Sequence, residues 1–224
     1  ATVVSIIAMG FISSFAYGTY IFHPATLSYL SNILLFNTQY MLPGVFTSNP
    51  LPNAVNGSTW TLVYEFVMYF AVAVLGAVSW LKKRSVNYVW LFLFVLNLIL
   101  IVRPKTLTFS LLYLDMRLVA QMGLMFFSGV LLQIYDKKVR YTIIFIIATF
   151  IAFFVGSTLH PGATAILGGT LLAYSMLGLS KLPYFSLFGK YGDISYGLYI
   201  YSFPIQQTVW YLTQTKSPIK LGLV

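Results

Sequence analysis

The stretch GSTWTLVYEFVMYFAVAVLGAVSW, residues 57–80, decides the fold, because it is long enough to cross a bilayer and contains one charged side chain, Glu65. A transmembrane helix needs about 20 predominantly apolar residues. The sequence on either side is similar, since Glu65 is the only charged side chain among residues 1–81. A water-exposed surface of that size would carry more charges. The sequence therefore predicts an integral membrane protein.

The whole composition agrees with a membrane environment. The 224 residues are 59% hydrophobic and 8% charged, whereas soluble domains are about 45–50% apolar and about 25% charged. The net charge of +9 reports membrane topology in such a protein, so nucleic acid is not an expected partner. The chain has no cysteine, and His23 and His160 lie far apart, so neither a disulfide nor a metal site is expected.

Seven runs of spanning length follow one another along the chain. We predict an all-α polytopic transmembrane helix bundle of about seven spans plus a short interfacial or re-entrant segment. That short segment is Leu27–Leu42, for which a short eighth span is the alternative. We expect residues 1–224 to form a single integral membrane domain that is incomplete at both ends. The seven runs cover residues 1–22, 57–80, 86–102, 107–135, 141–159, 162–180 and 194–214.

Basic side chains cluster between the predicted spans, at Lys82–Arg84 and Lys137–Arg140. Loops rich in Lys and Arg remain in the cytoplasm, so both loops are predicted to be cytoplasmic, and Lys181 and Lys190 fit the same side. The loop over residues 43–57 then faces the outside. Membrane lipid is the expected surrounding partner.

A polar stripe marks the helix that contains Glu65. Ser58, Thr61, Glu65 and Tyr69 are spaced by three, four and four residues, which places them on one helical face. If the helix starts near Gly57, Glu65 lies roughly 12 Å below its outer end. Intramembrane polar residues are costly and are usually functional, so this stripe is predicted to face a cavity.

The last predicted span has a second polar stripe on one face. Pro204 should kink this helix and free a backbone carbonyl. Two polar stripes suggest a shared cavity. The members of the second stripe are Ser195, Tyr199, Ser202, Gln206 and Thr213.

Arg117 is a further candidate. If its helix begins near Leu107, Arg117 lies roughly 15 Å from the outer end, at a depth similar to that of Glu65. Two structural alternatives remain open: Glu65 and Arg117 form an ion pair, or Arg117 pairs locally with Asp115. The polar stripes also fit interhelical hydrogen bonds, worth about 0.6–2 kcal/mol each.

Two segments contain motifs that go beyond periodicity. The first begins with LPGVF at 42–46, continues with NGSTWTL at 56–62 and ends in Glu65 and Tyr69. The second is GDISYGLYIY at 192–201, followed by FPIQQ at 203–207. Together they resemble the signature of the acyltransferase 3 family of membrane acyltransferases. With hydrophobic spans between the motifs, the resemblance covers essentially the whole chain.

The resemblance implies an inner-membrane enzyme that transfers an acyl group, commonly acetyl, to a hydroxyl of an extracytoplasmic glycan. Cytoplasmic acyl-CoA is then the donor substrate, and no bound cofactor is expected. Lipopolysaccharide, exopolysaccharide or a lipid-linked saccharide is the implied acceptor. We expect Glu65 and Arg117 to be catalytic, Arg117 mainly from its depth. The motif positions expected to bind substrate are Asn56, Ser58, Trp60, Ser195, Tyr196 and Tyr199.

Three features of the family are missing from this sequence. The family's first helix carries a basic residue and a histidine, its best candidate catalytic base, and an arginine-rich motif precedes its third helix. We expect these to lie upstream of Ala1, so the chain alone is predicted to be inactive. Many relatives also have histidine where this chain has Ser202.

Two other functions fit parts of the pattern. In a transporter, the helices of Glu65 and Arg117 would line a proton or solute path, although the two halves show no inverted repeat. In a catalytically inactive membrane interaction module, the missing first helix would be unnecessary. A basic residue followed by a histidine upstream of Ala1 would favour the enzyme.

Overall fold

The computed structural model describes residues 1–35, 38–105, 108–111, 114–182 and 195–214. The chain is mainly helical and divides into two compact units. Unit 1 comprises Ala1–Val63 and Asp193–Val224, and unit 2 comprises Tyr64–Gly192. The all-helical prediction is confirmed apart from one short β-hairpin.

Unit 1 contains short helices and one long one. His23 caps the third helix, because its Nδ1 accepts a hydrogen bond from the backbone N–H of Ala25 at 3.1 Å, and Pro24 occupies the favoured first position. The described part of Leu27–Leu42 has no helix of spanning length. The helices of unit 1 are α1 (Thr2–Gly10), α2 (Tyr17–Ile21), α3 (Pro24–Tyr29), two 3₁₀ helices (Leu30–Leu34 and Gly57–Thr61) and α10 (Ser195–Thr213).

The predicted first span, residues 1–22, is broken into α1 and α2. At the break the chain contacts the motif loop, since the Ser13 hydroxyl donates to the Pro43 carbonyl at 2.8 Å. The N–H of Ser14 donates to the carbonyl of Gly44 at 2.9 Å. Gly44 has a φ of +67°, a conformation that glycine adopts without steric cost. The interruption thus fixes the start of the loop.

The core of unit 1 is built from the loop that carries the first motif. Leu42, Val45, Phe46 and Val55 are each 2% exposed or less. Phe46 also packs edge-on against Tyr211 of α10, with ring centroids 5.9 Å apart. This loop is therefore a packed structural element, although it has little regular secondary structure.

Unit 2 is a helical bundle. Two hydrogen bonds join its second long helix (Lys83–Val102) to its third (Met116–Ile134). Trp90 Nε1 donates to Ser128 Oγ at 2.6 Å, and Asn97 Nδ2 donates to the Ala120 carbonyl at 3.0 Å. Such polar contacts hold helices together in lipid. The elements are α4 (Leu62–Ala77, which starts in unit 1), α5 (Lys83–Val102), β1 (Ser110–Leu111), β2 (Leu114–Asp115), α6 (Met116–Ile134), α7 (Ile143–Leu159), a 3₁₀ turn (Pro161–Ala163), α8 (Thr164–Leu167), a π-helical turn (Gly168–Leu172) and α9 (Ala173–Ser180).

The prediction of about seven spans is not supported. Within the described ranges, four helical stretches are long and apolar enough to cross a membrane, and α7, with 17 residues, is a shorter apolar helix. The first predicted span is broken, and α10 is long enough but too polar. By length and composition the helices still fit a membrane protein. The four stretches are Gly57–Ala77, Lys83–Val102, Met116–Ile134 and Pro161–Ser180.

Candidate functional site

The two motifs meet in unit 1 at a proline-induced gap in α10. Pro204 has no N–H, so the helix cannot bond the carbonyl of Ile200, four residues earlier. The side-chain amide of Asn56 donates to that carbonyl at 2.9 Å. The other end of the same amide caps the Gly57–Thr61 helix, accepting from the Ser58 N–H at 3.1 Å. One buried side chain therefore fixes both motifs.

A second amide pair joins the same segments. Asn49 Nδ2 donates to the carbonyl of Gln207 at 2.9 Å and to Gln207 Oε1 at 3.0 Å. In turn, Gln207 Nε2 donates to the carbonyls of Leu51 and Ala54, at 2.9 and 2.8 Å. Gln207 is 7% exposed, so these bonds lie in the interior. They anchor the loop to α10.

Tyr199 makes a third connection, one turn before the proline gap. Its hydroxyl donates to the carbonyl of Ser58 and is hydrogen-bonded to the hydroxyl of Thr61. Close by, a Cβ on Gly57 would lie 2.8 Å from Phe203 Cε2. A larger residue at position 57 would therefore force the Phe203 ring to shift.

Beside these contacts unit 1 encloses a cavity of about 360 Å³. This volume lies within the roughly 300–1,000 Å³ typical of small-ligand sites. The described lining contains no charged side chain, and its polar side chains are those of Thr2, Ser5, Tyr29, Asn32, Thr38, Asn56, Thr59 and Tyr196.

Tyr29 is the most deeply buried of the phenols in the cavity wall. It is 2% exposed, and burial raises the pKa of its hydroxyl to about 12, so the hydroxyl remains protonated at neutral pH. The described residues provide no hydrogen-bond partner for it. Tyr29 thus has an O–H group available to a ligand.

Sequence reasoning missed Tyr29, Ser5 and Thr59. A partial signal was present, because Tyr29 and Asn32 lie three residues apart in the unusually polar run that was predicted not to span. Asn32 itself is committed to structure: its side chain bonds both the N–H and the carbonyl of Gln39, at 2.7 and 2.8 Å.

The six predicted substrate-binding residues all belong to unit 1, in different settings. Asn56 and Tyr196 line the cavity, but both ends of the Asn56 amide are already used. Tyr196 is 62% exposed, and its hydroxyl has no hydrogen bond within the described ranges. Tyr199 is bonded to the backbone of Ser58. The remaining three do not line the cavity: Ser58 is partly buried, and Trp60 and Ser195 are exposed.

Glu65 lies in unit 2, in the first turn of α4, where the helix dipole favours a carboxylate. It accepts a hydrogen bond from the Tyr69 hydroxyl at 2.6 Å. Of the four residues on the predicted polar stripe, Glu65 and Tyr69 are thus hydrogen-bonded to each other in unit 2. Thr61 is hydrogen-bonded to Tyr199 of α10 in unit 1.

The depth predicted for Arg117 is wrong. Helix α6 begins at Met116 rather than near Leu107, because a β-hairpin with Ser110 opposite Asp115 precedes it. Arg117 therefore lies in the first turn. Its Nη2 donates to Asp115 Oδ2 at 3.1 Å, which confirms the local pair and not a pair with Glu65. This hydrogen bond holds the pKa of the Asp115 carboxyl below its usual range.

The basic clusters come together at one end of unit 2. Lys83 Nζ lies 5.5 Å from the centre of the Tyr135 ring. Lys181 forms an ion pair with Asp136 and lies 5.5 Å from the ring centre of Tyr141. This grouping agrees with the prediction that the two loops and Lys181 share a side. Lys190 lies outside the described residues.

Comparison with known proteins gives one indication of function. The chain is similar to the O-acetyl transferase of Shigella phage Sf6, with 31% identity over 170 residues, covering 73% of this chain and 49% of that protein. The chain thus spans about half the length of this curated relative. No protein-family model matches the chain, so the resemblance to the acyltransferase 3 family rests on the motifs alone. No solved structure matches it. The similarity supports an acetyltransferase.

Proposed function

We propose that this chain forms part of a multi-pass inner-membrane O-acyltransferase. The enzyme transfers an acetyl group from cytoplasmic acetyl-CoA to a hydroxyl of an extracytoplasmic glycan, such as lipopolysaccharide, exopolysaccharide or a lipid-linked saccharide. One observation carries the proposal: residues of both motif segments line one cavity in unit 1 that has no charged side chain among its described lining, in a chain similar to a phage O-acetyl transferase.

The reaction needs no redox chemistry. The glycan hydroxyl attacks the thioester carbonyl, the C–S bond breaks, a C–O ester bond forms, and the hydroxyl proton ends on the released thiol. The barrier is lowered by a base for the hydroxyl proton and by donors for the carbonyl oxygen as it becomes negative.

The unit 1 cavity supplies neutral donors of the kind that such an oxygen needs. Tyr29 has an unpaired, protonated hydroxyl in the cavity wall, and we assign it to oxyanion stabilisation. Tyr196, at the same wall and more exposed, offers a flat amphipathic ring on which a sugar can rest. Ser58, Trp60, Ser195 and Tyr199 are assigned to the surrounding acceptor surface.

The base is assigned to the histidine that the family resemblance implies upstream of Ala1. Neither His23 nor His160 is among the described cavity-lining residues, and His23 is engaged in capping α3. Glu65 retains the proposed role of orienting the base or its positive partner. We expect Glu65→Gln in the full-length enzyme to lose most acylation at normal membrane abundance. Full activity would assign Glu65 a structural role instead.

The donor is assigned to the basic end of unit 2, where Lys83, Lys181 and the second basic loop gather. Coenzyme A carries phosphates, for which clustered basic side chains are suitable partners. We expect Lys83→Gln to raise the KM for acetyl-CoA without changing kcat. The matched control is Lys105→Gln, because Lys105 follows the opposite end of α5.

The direct test is mass spectrometry of surface glycans from cells with and without the full-length gene. A loss of one acetyl group per repeating unit is expected on deletion. An unchanged glycan profile would overturn the proposed function. Within a complemented strain, Tyr29→Phe removes one hydroxyl and should lower acetylation at least tenfold, whereas Tyr17→Phe, the same change outside the cavity, should leave it unchanged.

A further inference from the structure

Unit 2 contains a separate polar cavity at the N-terminal end of α6. Its volume is about 390 Å³, many times the roughly 30 Å³ that one water takes up in the liquid. Apart from Leu100 and Leu118, its described lining consists of Asn97, Pro104, Asp115, Arg117, Gln121 and Gly162. A polar pocket of this size can hold a small ligand.

Asn97 gives the strongest indication of a ligand. It is 2% exposed, and its Nδ2 donates to the carbonyls of Leu93 and Ala120, at 2.8 and 3.0 Å. Its Oδ1 is buried and accepts no hydrogen bond from the described residues. Buried acceptors of this kind are uncommon in folded proteins and call for a donor. A ligand beside Asn97 must therefore carry an O–H or N–H group.

The charges in the pocket select a neutral ligand. Asp115 and Arg117 are the charged residues in the described lining, and they neutralise each other through their ion pair. An anion would meet the Asp115 carboxylate. A cation would meet the Arg117 guanidinium. Neither kind of ion fits the set as well as an uncharged polar molecule.

The pocket offers both hydrogen-bond donors and hydrogen-bond acceptors to a ligand. The side-chain amide of Gln121 makes no hydrogen bond to the described part of the chain, so it offers both kinds. Arg117 has N–H groups beyond those that bond Asp115. Adjacent hydroxyls of a polyol can donate to Asn97 Oδ1 while accepting from Arg117 and Gln121.

We propose that this pocket binds a neutral polyhydroxylated ligand, of the class of a sugar ring or a cyclitol, through Asn97, Arg117 and Gln121. The site belongs entirely to unit 2 and is distinct from the unit 1 cavity. Binding there does not depend on acetyl transfer, so the test measures binding alone and can fail or succeed independently of the proposed function.

The experiment uses the full-length protein purified in a zwitterionic detergent without a sugar headgroup, since maltoside detergents would compete. Binding of methyl β-D-glucopyranoside and of myo-inositol is measured by saturation-transfer difference NMR, with inorganic phosphate and acetate as anionic comparators. We expect saturable binding of at least one polyol and none of either anion. Saturable binding of an anion alone, or of no probe, would overturn the proposal.

Variants locate the site. Gln121→Leu keeps the side-chain size and should weaken polyol binding at least tenfold. The matched control is Gln133→Leu, the same change on the same helix twelve residues further on, and it should bind as the wild type does. Unchanged thermal unfolding of the Gln121 and Gln133 variants verifies that both are folded. Equal binding by the Gln121 and Gln133 variants would place the polyol elsewhere and contradict the proposal.

Discussion

Polar side chains act at long range in unit 1, whereas two of the charged side chains of unit 2 act close to their own position in the sequence. In unit 1, Asn49 and Gln207 are bonded across 158 residues. In unit 2, Glu65 is bonded four residues away, to Tyr69, and Arg117 is paired two residues away, with Asp115. Neutral amides thus determine which distant segments meet, and these charges are satisfied locally. This is consistent with the high cost of placing an unpaired charge in a membrane.

The largest loss of stability is expected from a substitution at Gln207. Gln207→Leu keeps the volume but removes the donor to the part-buried carbonyls of Leu51 and Ala54 and the acceptor of Asn49 Nδ2. At about 0.5–1.5 kcal/mol for each of these hydrogen bonds, we expect a loss of about 3–4 kcal/mol in the free energy of unfolding. The measurement is denaturant unfolding of the full-length protein in detergent.

The neighbouring Gln206 provides the matched control for that variant. It is exposed on the same helix, so Gln206→Leu should change the free energy of unfolding by no more than about 0.5 kcal/mol. Equal effects of the two variants would show that the long-range amide bonds do not stabilise unit 1.

The next effect tests the link between Asn56 and the proline gap. Asn56→Leu removes the donor to the Ile200 carbonyl and the cap of the Gly57–Thr61 helix, so we expect a loss of about 2–3 kcal/mol. In a Pro204→Ala background the helix can bond the Ile200 carbonyl itself. The cost of Asn56→Leu should then fall by about 1 kcal/mol, which a double-mutant cycle measures. Strict additivity would show that the amide does not compensate for the proline.

A smaller effect is expected from tight packing between the same two segments. In Gly57→Ala the new methyl group would lie 2.8 Å from Phe203 Cε2, and overpacking of this kind costs about 1–2 kcal/mol. Phe203→Leu should relieve part of that cost when the two changes are combined. If Gly57→Ala unfolds at the same denaturant concentration as the wild type, the close approach of these segments is absent.

The sequence predicted a good part of this arrangement. The long apolar runs gave four of the spanning helices, and Pro204 gave the freed carbonyl in α10. The partner of that carbonyl was not predictable, since no local pattern couples Asn56 to Ile200, which lies 144 residues away. Composition also could not locate the break after Gly10, where Ser13 and Ser14 bond the motif loop. An apolar run indicates how long a helix can be, but it does not show where a tertiary contact interrupts that helix.

The candidate site was predicted in part. The motifs correctly indicated segments that meet, but they suggested that Asn56 binds substrate, whereas its amide is bonded at both ends to the backbone. Tyr29 was missed because a single tyrosine in a membrane-protein sequence resembles any packed aromatic residue. The depth of Arg117 was misjudged, because a run of apolar residues can continue through a hairpin before its helix begins.

The smallest predicted effect on stability concerns the ion pair between Asp115 and Arg117 in unit 2. The hydrogen bond from Arg117 lowers the pKa of the Asp115 carboxyl, so the folded state favours the ionised form more than the unfolded state does. Its contribution to stability is therefore fully present above the unfolded pKa of about 3.9 and is lost as the pH falls through the lower folded value. Because both side chains are partly exposed, at 44% and 31%, the contribution is small. Thermal unfolding of the wild type and of Asp115→Asn should differ slightly at pH 6 and converge near the lower pKa. A difference that persists unchanged at low pH would mean that the charge of Asp115 does not account for it.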